Sequence, residues 1–182
     1  MSAKYQEDFV RAVMSAAATR LPYRARTLVT AWGALESGWG QTRQAKLGHN
    51  LWNVSKGNWT GPTMAGNDTE YAPGSLTPRP ITQQWRVYSS LDEALVDVLR
   101  LLSTSKYVNY RAAYSMLCAG DAKFVSELGL FEVVDGNLVR VDNRPDVGSY
   151  YTLPRSKYQA NFDKALKDVT SLAARLKLDA AC

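Results

Sequence analysis

Glu36 stands in the segment Ala34-Leu35-Glu36-Ser37-Gly38-Trp39-Gly40, one carboxylate at the end of a helical pattern among apolar and aromatic neighbours. A carboxyl held against such surfaces has its charged form disfavoured, so its pKa rises and it can stay protonated near neutral pH and act as a general acid. Gly38 and Gly40 remove side-chain bulk beside it and leave room for a large substrate. The same residues read equally as a surface glutamate and a plain helix stop. Downstream, Trp52, Trp59 and Tyr71 stand in a segment with few aliphatic residues, which suits the wall of a groove or the segment's own packing.

Other chemistries lack residues. His49 is the only histidine, and the two cysteines, Cys118 and Cys182, are far apart, so there is no metal-ligand spacing and no disulfide framework. Two free thiols, no metal and no cofactor are expected. No glycine-rich phosphate loop or nucleophile elbow occurs. The net charge of +5 favours anionic partners, but the basic residues are scattered rather than interleaved with aromatics along one helix, which disfavours nucleic acid.

The chain that must position these groups has 182 residues, the length of one domain, and its 46% hydrophobic and 21% charged composition excludes a disordered polymer. Phe9, Val13 and Ala17 predict a first helix ending before Leu21-Pro22, and Leu28, Ala31, Trp32 and Leu35 a second over about residues 24–37, with Gly38 as its left-handed cap. Residues 48–90 lose helical period and read as a loop and short-strand lobe, with Trp85 and Tyr88 as its own small core. Ser90-Leu91-Asp92-Glu93 has capping-box form, and Leu91, Leu95, Val98, Leu99 and Leu102 mark the buried side of a central helix. Shorter helices are expected near 108–118 and 121–128. A β-hairpin is expected around Asp135-Gly136 within 129–148, and a last helix carries Phe162, Leu166, Val169, Leu172 and Leu176. No repeat or inter-domain linker is visible, so residues 1–182 read as one mainly helical, α+β domain.

Five ordered segments resemble the glucosaminidase family of bacterial and phage cell-wall hydrolases. They are Ala34 to Gly40, His49 to Val54, Thr69-Glu70-Tyr71, Trp85 to Ser90, and the late group Tyr150, Thr152, Pro154 and Tyr158. Within His49 to Val54 the family's Phe and Gly are replaced by Trp52 and Asn53, and two extra residues precede Tyr158. The stretch 72–80 and the hairpin at 129–148 lengthen the family pattern.

The resemblance implies a lysozyme-like helical body with a small β-lobe, hydrolysing the β-1,4 bond between N-acetylglucosamine and N-acetylmuramic acid in peptidoglycan. It implies Glu36 as general acid, Glu70 as the second carboxylate, and Tyr150 as the late tyrosine beside the acid. Asn50, Trp52, Trp59, Tyr71 and Tyr158 are then candidate substrate contacts, the aromatics at 52, 59 and 71 offering flat faces to sugar rings or else packing, and Asn50 bonding an acetamido group or else tying down its own loop, with His49 a loop-holding residue. Glu70 could activate water, or the substrate's acetamido group could assist instead. A muramidase or lytic transglycosylase on a related fold is the enzymatic alternative, although the Gly-Leu-Met-Gln segment typical of the latter is missing. A non-catalytic wall-binding module is the other.

The opening residues are polar and acidic rather than signal-peptide-like, and no apolar run approaches a membrane span of ~18 residues. A monomer is therefore expected that is made in the cytoplasm and reaches the wall by holin-type release, virion delivery or dedicated secretion. A phage-type lysin fits that expectation.

Overall fold

The computed structural model describes residues 3–71 and 77–178. In chain order its elements are α1 (Lys4–Ala16), α2 (Tyr23–Ser37), α3 (Arg43–Gly48), β1 (Thr63–Tyr71), β2 (Pro78–Arg86), α4 (Leu91–Ser103), α5 (Val108–Cys118), α6 (Phe124–Glu127), β3 (Phe131–Val134), β4 (Asn137–Arg140) and α7 (Arg155–Arg175). The architecture is mainly helical α+β, with two small antiparallel sheets.

The axis of the body is α2. Every residue from Ala25 to Ala34 is buried, and α1, α5 and α7 pack around it. Small side chains let neighbours approach from all sides, and its hydroxyls return to the helix's own backbone, Thr27 to Tyr23 O at 3.1 Å and Thr30 to Arg26 O at 2.7 Å. The leucine stripe at 91–102 pointed instead to α4 as the central helix. That reading is corrected: α4 buries Leu95, Val98, Leu99 and Leu102 on one face and leaves Val96 exposed, as an amphipathic helix with a wet side must. Its cap forms as expected through Ser90, which accepts from Glu93 N at 3.1 Å, while the Glu93 carboxylate reaches Ser89 rather than Ser90.

The β-lobe is a hairpin whose base is Thr63 opposite Arg86 and whose far end is Tyr71 opposite Pro78. Lys56 N donates to Gln84 O at 2.8 Å and Arg86 N to Val54 O at 3.1 Å, so even-numbered residues of β2 turn their backbone groups away from β1. Pro78 and Pro80 fall on that side, where a missing N–H costs the ladder nothing. Trp85 and Tyr88 are buried, but Tyr88 joins the main core rather than a separate core of the lobe. The second hairpin turns at Asp135 (φ 49°) and Gly136 (φ 77°), the two left-handed residues that a tight hairpin turn requires. Of the helix expected over 121–128, only the single turn α6 forms. Cys182 lies outside the described residues.

Candidate active site

Glu36 occupies the last turn of α2, and the chain leaves that helix through three consecutive left-handed residues, Gly38, Trp39 and Gly40 (φ 55°, 62° and 77°). Gly40 N donates to Ser37 Oγ at 2.8 Å, which holds the reversal. The Glu36 carboxyl is thereby fixed at the end of a buried helix, with side chains from three other parts of the chain around it.

From α7, the Tyr158 hydroxyl donates to Glu36 Oε1 and accepts from the Trp32 indole N–H at 3.1 Å. From the loop after α3, Asn53 Nδ2 donates to Glu36 Oε2 at 3.0 Å and to the Glu36 backbone oxygen at 2.7 Å. Tyr151 stacks on the Tyr158 ring at 3.7 Å and 3° and anchors itself through its hydroxyl to Val125 O at 2.9 Å. Burial pushes the Glu36 carboxyl above its ordinary value; the bonds from Tyr158 and Asn53 oppose this, and the negative charge of Asp68 adds to it. The outcome is an acid that keeps its proton above the usual carboxylate range, with both oxygens oriented.

Asn53 went unnoticed as a site residue, although a signal was present. It stands where the resemblance has glycine, and its backbone is left-handed (φ 51°). Asparagine is among the few residues that tolerate this conformation, and it adds an amide. Asn53→Gly keeps the backbone and removes a bond that favours the ionised carboxyl, so Glu36 should ionise at higher pH. Tyr158→Phe should move it the same way. Carboxyl-detected NMR titration of Glu36 checks both, and a downward shift in either would refute the assignment.

The other expected site residues are distributed differently. Tyr150, expected beside the acid, directs its hydroxyl to Trp52 O and packs its ring at 5.2 Å from Trp32. The hydroxyl on Glu36 belongs instead to Tyr158, expected as a substrate contact, because α7 begins only after Pro154 and turns Tyr158 inward. Trp52 is completely buried and donates to Val29 O at 3.1 Å, so it presents no face to a sugar. Asn50 is equally buried, giving Nδ2 to Val54 O and Arg86 O and accepting from Val54 N at 2.8 Å. Its expected acetamido contact is replaced by the loop-tying role.

Trp59 is partly buried at the base of the lobe, 5.4 Å from the Tyr88 ring and donating to Pro62 O at 3.0 Å. The Tyr71 side chain lies outside the described residues. His49, left-handed at φ 50°, ends α3. Glu70 sits toward the far end of β1, opposite Arg79, whose guanidinium Nε donates to it at 2.8 Å. Among the described residues no group of three or more His, Cys, Asp or Glu could hold a metal ion, and no helix is long and apolar enough to cross a membrane.

Residues 12–172 match the family model described as Glucosaminidase: Mannosyl-glycoprotein endo-beta-N-acetylglucosaminidase. Over 81 residues, 42% of this chain, the sequence is 41% identical to the peptidoglycan hydrolase FlgJ of Escherichia coli K12 and 37% identical to FlgJ of Salmonella typhimurium. That segment is 25% of each relative's length. Among solved structures, a peptidoglycan hydrolase mutant from Sphingomonas sp. A1 aligns over 93% of this chain and 99% of its own, with TM-score 0.63 and 20% identity. The glycoside hydrolase domain of Salmonella typhimurium FlgJ aligns over 94% and 92%, with TM-score 0.57 and 22% identity. At such identities the structural likeness is one of fold.

Proposed function

The chain belongs to the glucosaminidase family of glycoside hydrolases, and on that premise we propose that it cuts peptidoglycan at the β-1,4 bond between N-acetylglucosamine and N-acetylmuramic acid, with Glu36 as the general acid. The observation that carries this reading is the half-buried Glu36 carboxyl at the end of α2, raised above its ordinary value by burial and held on both oxygens by Tyr158 and Asn53. A neutral carboxylic acid at the end of a rigid helix can deliver its proton to the glycosidic oxygen as the bond to the anomeric carbon breaks. The sugar then carries positive charge until water adds. The names of the FlgJ relatives support the wall polymer as substrate, and the net charge of +5 suits an anionic wall.

Digestion of purified sacculi followed by mass spectrometry tests the bond. Reducing N-acetylglucosamine ends are expected. Reducing muramic ends would make the protein a muramidase, anhydromuramic ends a transglycosylase, and sacculi bound without release of fragments a wall-binding module.

The setting we propose is that of a lysin let out to the wall by a separate release device. Expression in the cytoplasm should leave cells intact until a membrane-permeabilising agent is added, and lysis without that agent would overturn this part of the proposal.

A further inference from the structure

The reading of Glu36 as the acid leaves open which group opposes the positive charge on the sugar. Two carboxylates lie on the same face of β1. Its even-numbered residues face the helical body: Met64 Cε packs against Gly48, at 3.0 Å from where a side chain there would begin, and a side chain at Gly66 would meet Trp85 and Gln44. Strand alternation puts Asp68 and Glu70 next along that face. The strand runs outward from its anchored base at Thr63 and Arg86, so Asp68 stands nearer the body than Glu70 by about 7 Å.

Their partners differ as well. Glu70 is opposite Arg79, whose guanidinium holds the carboxylate through two nitrogens. Asp68 is opposite Ile81 and accepts only from Thr69 N at 2.8 Å, and among the described residues it makes no ion pair. Glu70 is thus paired with a cation across the strand, whereas Asp68 has no such partner among the described residues.

We propose that Asp68, rather than Glu70, is the ionised β-lobe carboxylate that works opposite Glu36 in bond cleavage. As Glu36 gives its proton to the leaving oxygen, the carbon–oxygen bond breaks with its electrons on that oxygen and the anomeric carbon becomes cationic. Asp68 stabilises this charge and neither gains nor loses a proton. Water adds to the carbon, its surplus proton passes to solvent, and Glu36 is reprotonated from there.

The groups facing Glu36 are Trp32 from α2, Asn53 from the loop, Tyr158 from α7, Tyr150 and Tyr151 from the segment before it, and Asp68 from β1. Of these, only Asp68 is a carboxylate. The proposal therefore has a signature in the basic limb of the pH–rate profile, which reports loss of the Glu36 proton.

The test measures kcat and that limb on solubilised peptidoglycan for Asp68→Asn, Asp68→Glu and Glu70→Gln. Asp68→Asn should lower kcat about 10²-fold, the scale of one positioned electrostatic group, and move the limb to lower pH, opposite to Asn53→Gly and Tyr158→Phe. Asp68→Glu keeps the charge and should hold the limb near its original position, and Glu70→Gln should leave the limb in place. Asp68 is exposed, so its replacement removes no packing. An unmoved limb in Asp68→Asn, a limb that moves without loss of kcat, or a larger effect from Glu70→Gln on either quantity would overturn the proposal. The comparison survives a wrong bond assignment, since the limb reads Glu36 whichever bond is cut, and product analysis judges the bond separately.

Discussion

Glu36→Gln is expected to lower peptidoglycan turnover about 10²- to 10⁴-fold, the usual contribution of a general acid, while making the folded protein more stable at neutral pH. Glutamine keeps the size of the side chain and can still hydrogen-bond Asn53 and Tyr158, but it has no proton to give. The gain in stability follows from the raised carboxyl of Glu36. Below the ordinary carboxylate range both folded and unfolded chains hold the proton, and the group costs nothing. As pH rises, the unfolded chain ionises first, so the folded state binds more protons and loses stability until its own raised value is passed.

The variant escapes that loss. Its advantage should be negligible near about pH 4 and should open toward about pH 7, as measured by urea unfolding at both. A wild type and variant that differ equally at the two values would contradict a raised Glu36, and undiminished turnover would remove it from the chemistry.

The second large effect concerns the root of the β-lobe. Asp97 of α4 is buried and accepts from Arg86 NH1 at 2.6 Å and from the Tyr88 hydroxyl at 2.8 Å, with Arg100 on its other oxygen. Arg86, the last residue of β2, is buried too and also donates to Ser55 O at 2.9 Å. Burial pushes the Asp97 carboxyl up, but the bonds from Arg100 and Tyr88 and the charge of Arg86 outweigh it, leaving it below its ordinary value. Asp97→Asn should therefore cost about 3–5 kcal/mol, chiefly because the Arg86 guanidinium is left buried without a counter-charge. Chemical unfolding measures it.

Replacing both charges together, Arg86→Met with Asp97→Leu, should recover a good part of the loss, since an apolar pair has no uncompensated charge. A double variant as unstable as the single one would contradict that account. The sign with pH is opposite to that of Glu36: the stability due to Asp97 is present above the unfolded carboxylate value and is lost as pH falls through the lower folded one.

How far the site was legible depended on whether a residue's role is local. The helix end at Glu36, the cap at Ser90 and the turn at Asp135-Gly136 follow from neighbours within a few residues, and all three form. The roles of the aromatic and amide residues do not. A tryptophan that packs and one that stacks on a sugar have the same local sequence, and the difference for Trp52 is the carbonyl of Val29, distant in the chain. The same holds for the late tyrosines: that the Tyr158 hydroxyl, and not that of Tyr150, bonds Glu36 depends on where α7 starts and how its first turns pack on Tyr151.

By itself the sequence determined the mainly helical class, the position of Glu36 at a glycine-bounded helix end, the family resemblance and the hairpin after residue 129, because periodicity, capping and turn chemistry act over short range. Tertiary structure alone decided that α2 is the buried axis, that Asn53 and Tyr158 hold the Glu36 carboxyl, and that Arg79 engages Glu70 while Asp68 has no such partner among the described residues. Each of these depends on which side chains long-range packing brings within hydrogen-bonding reach, and on how much water it removes around a single carboxyl.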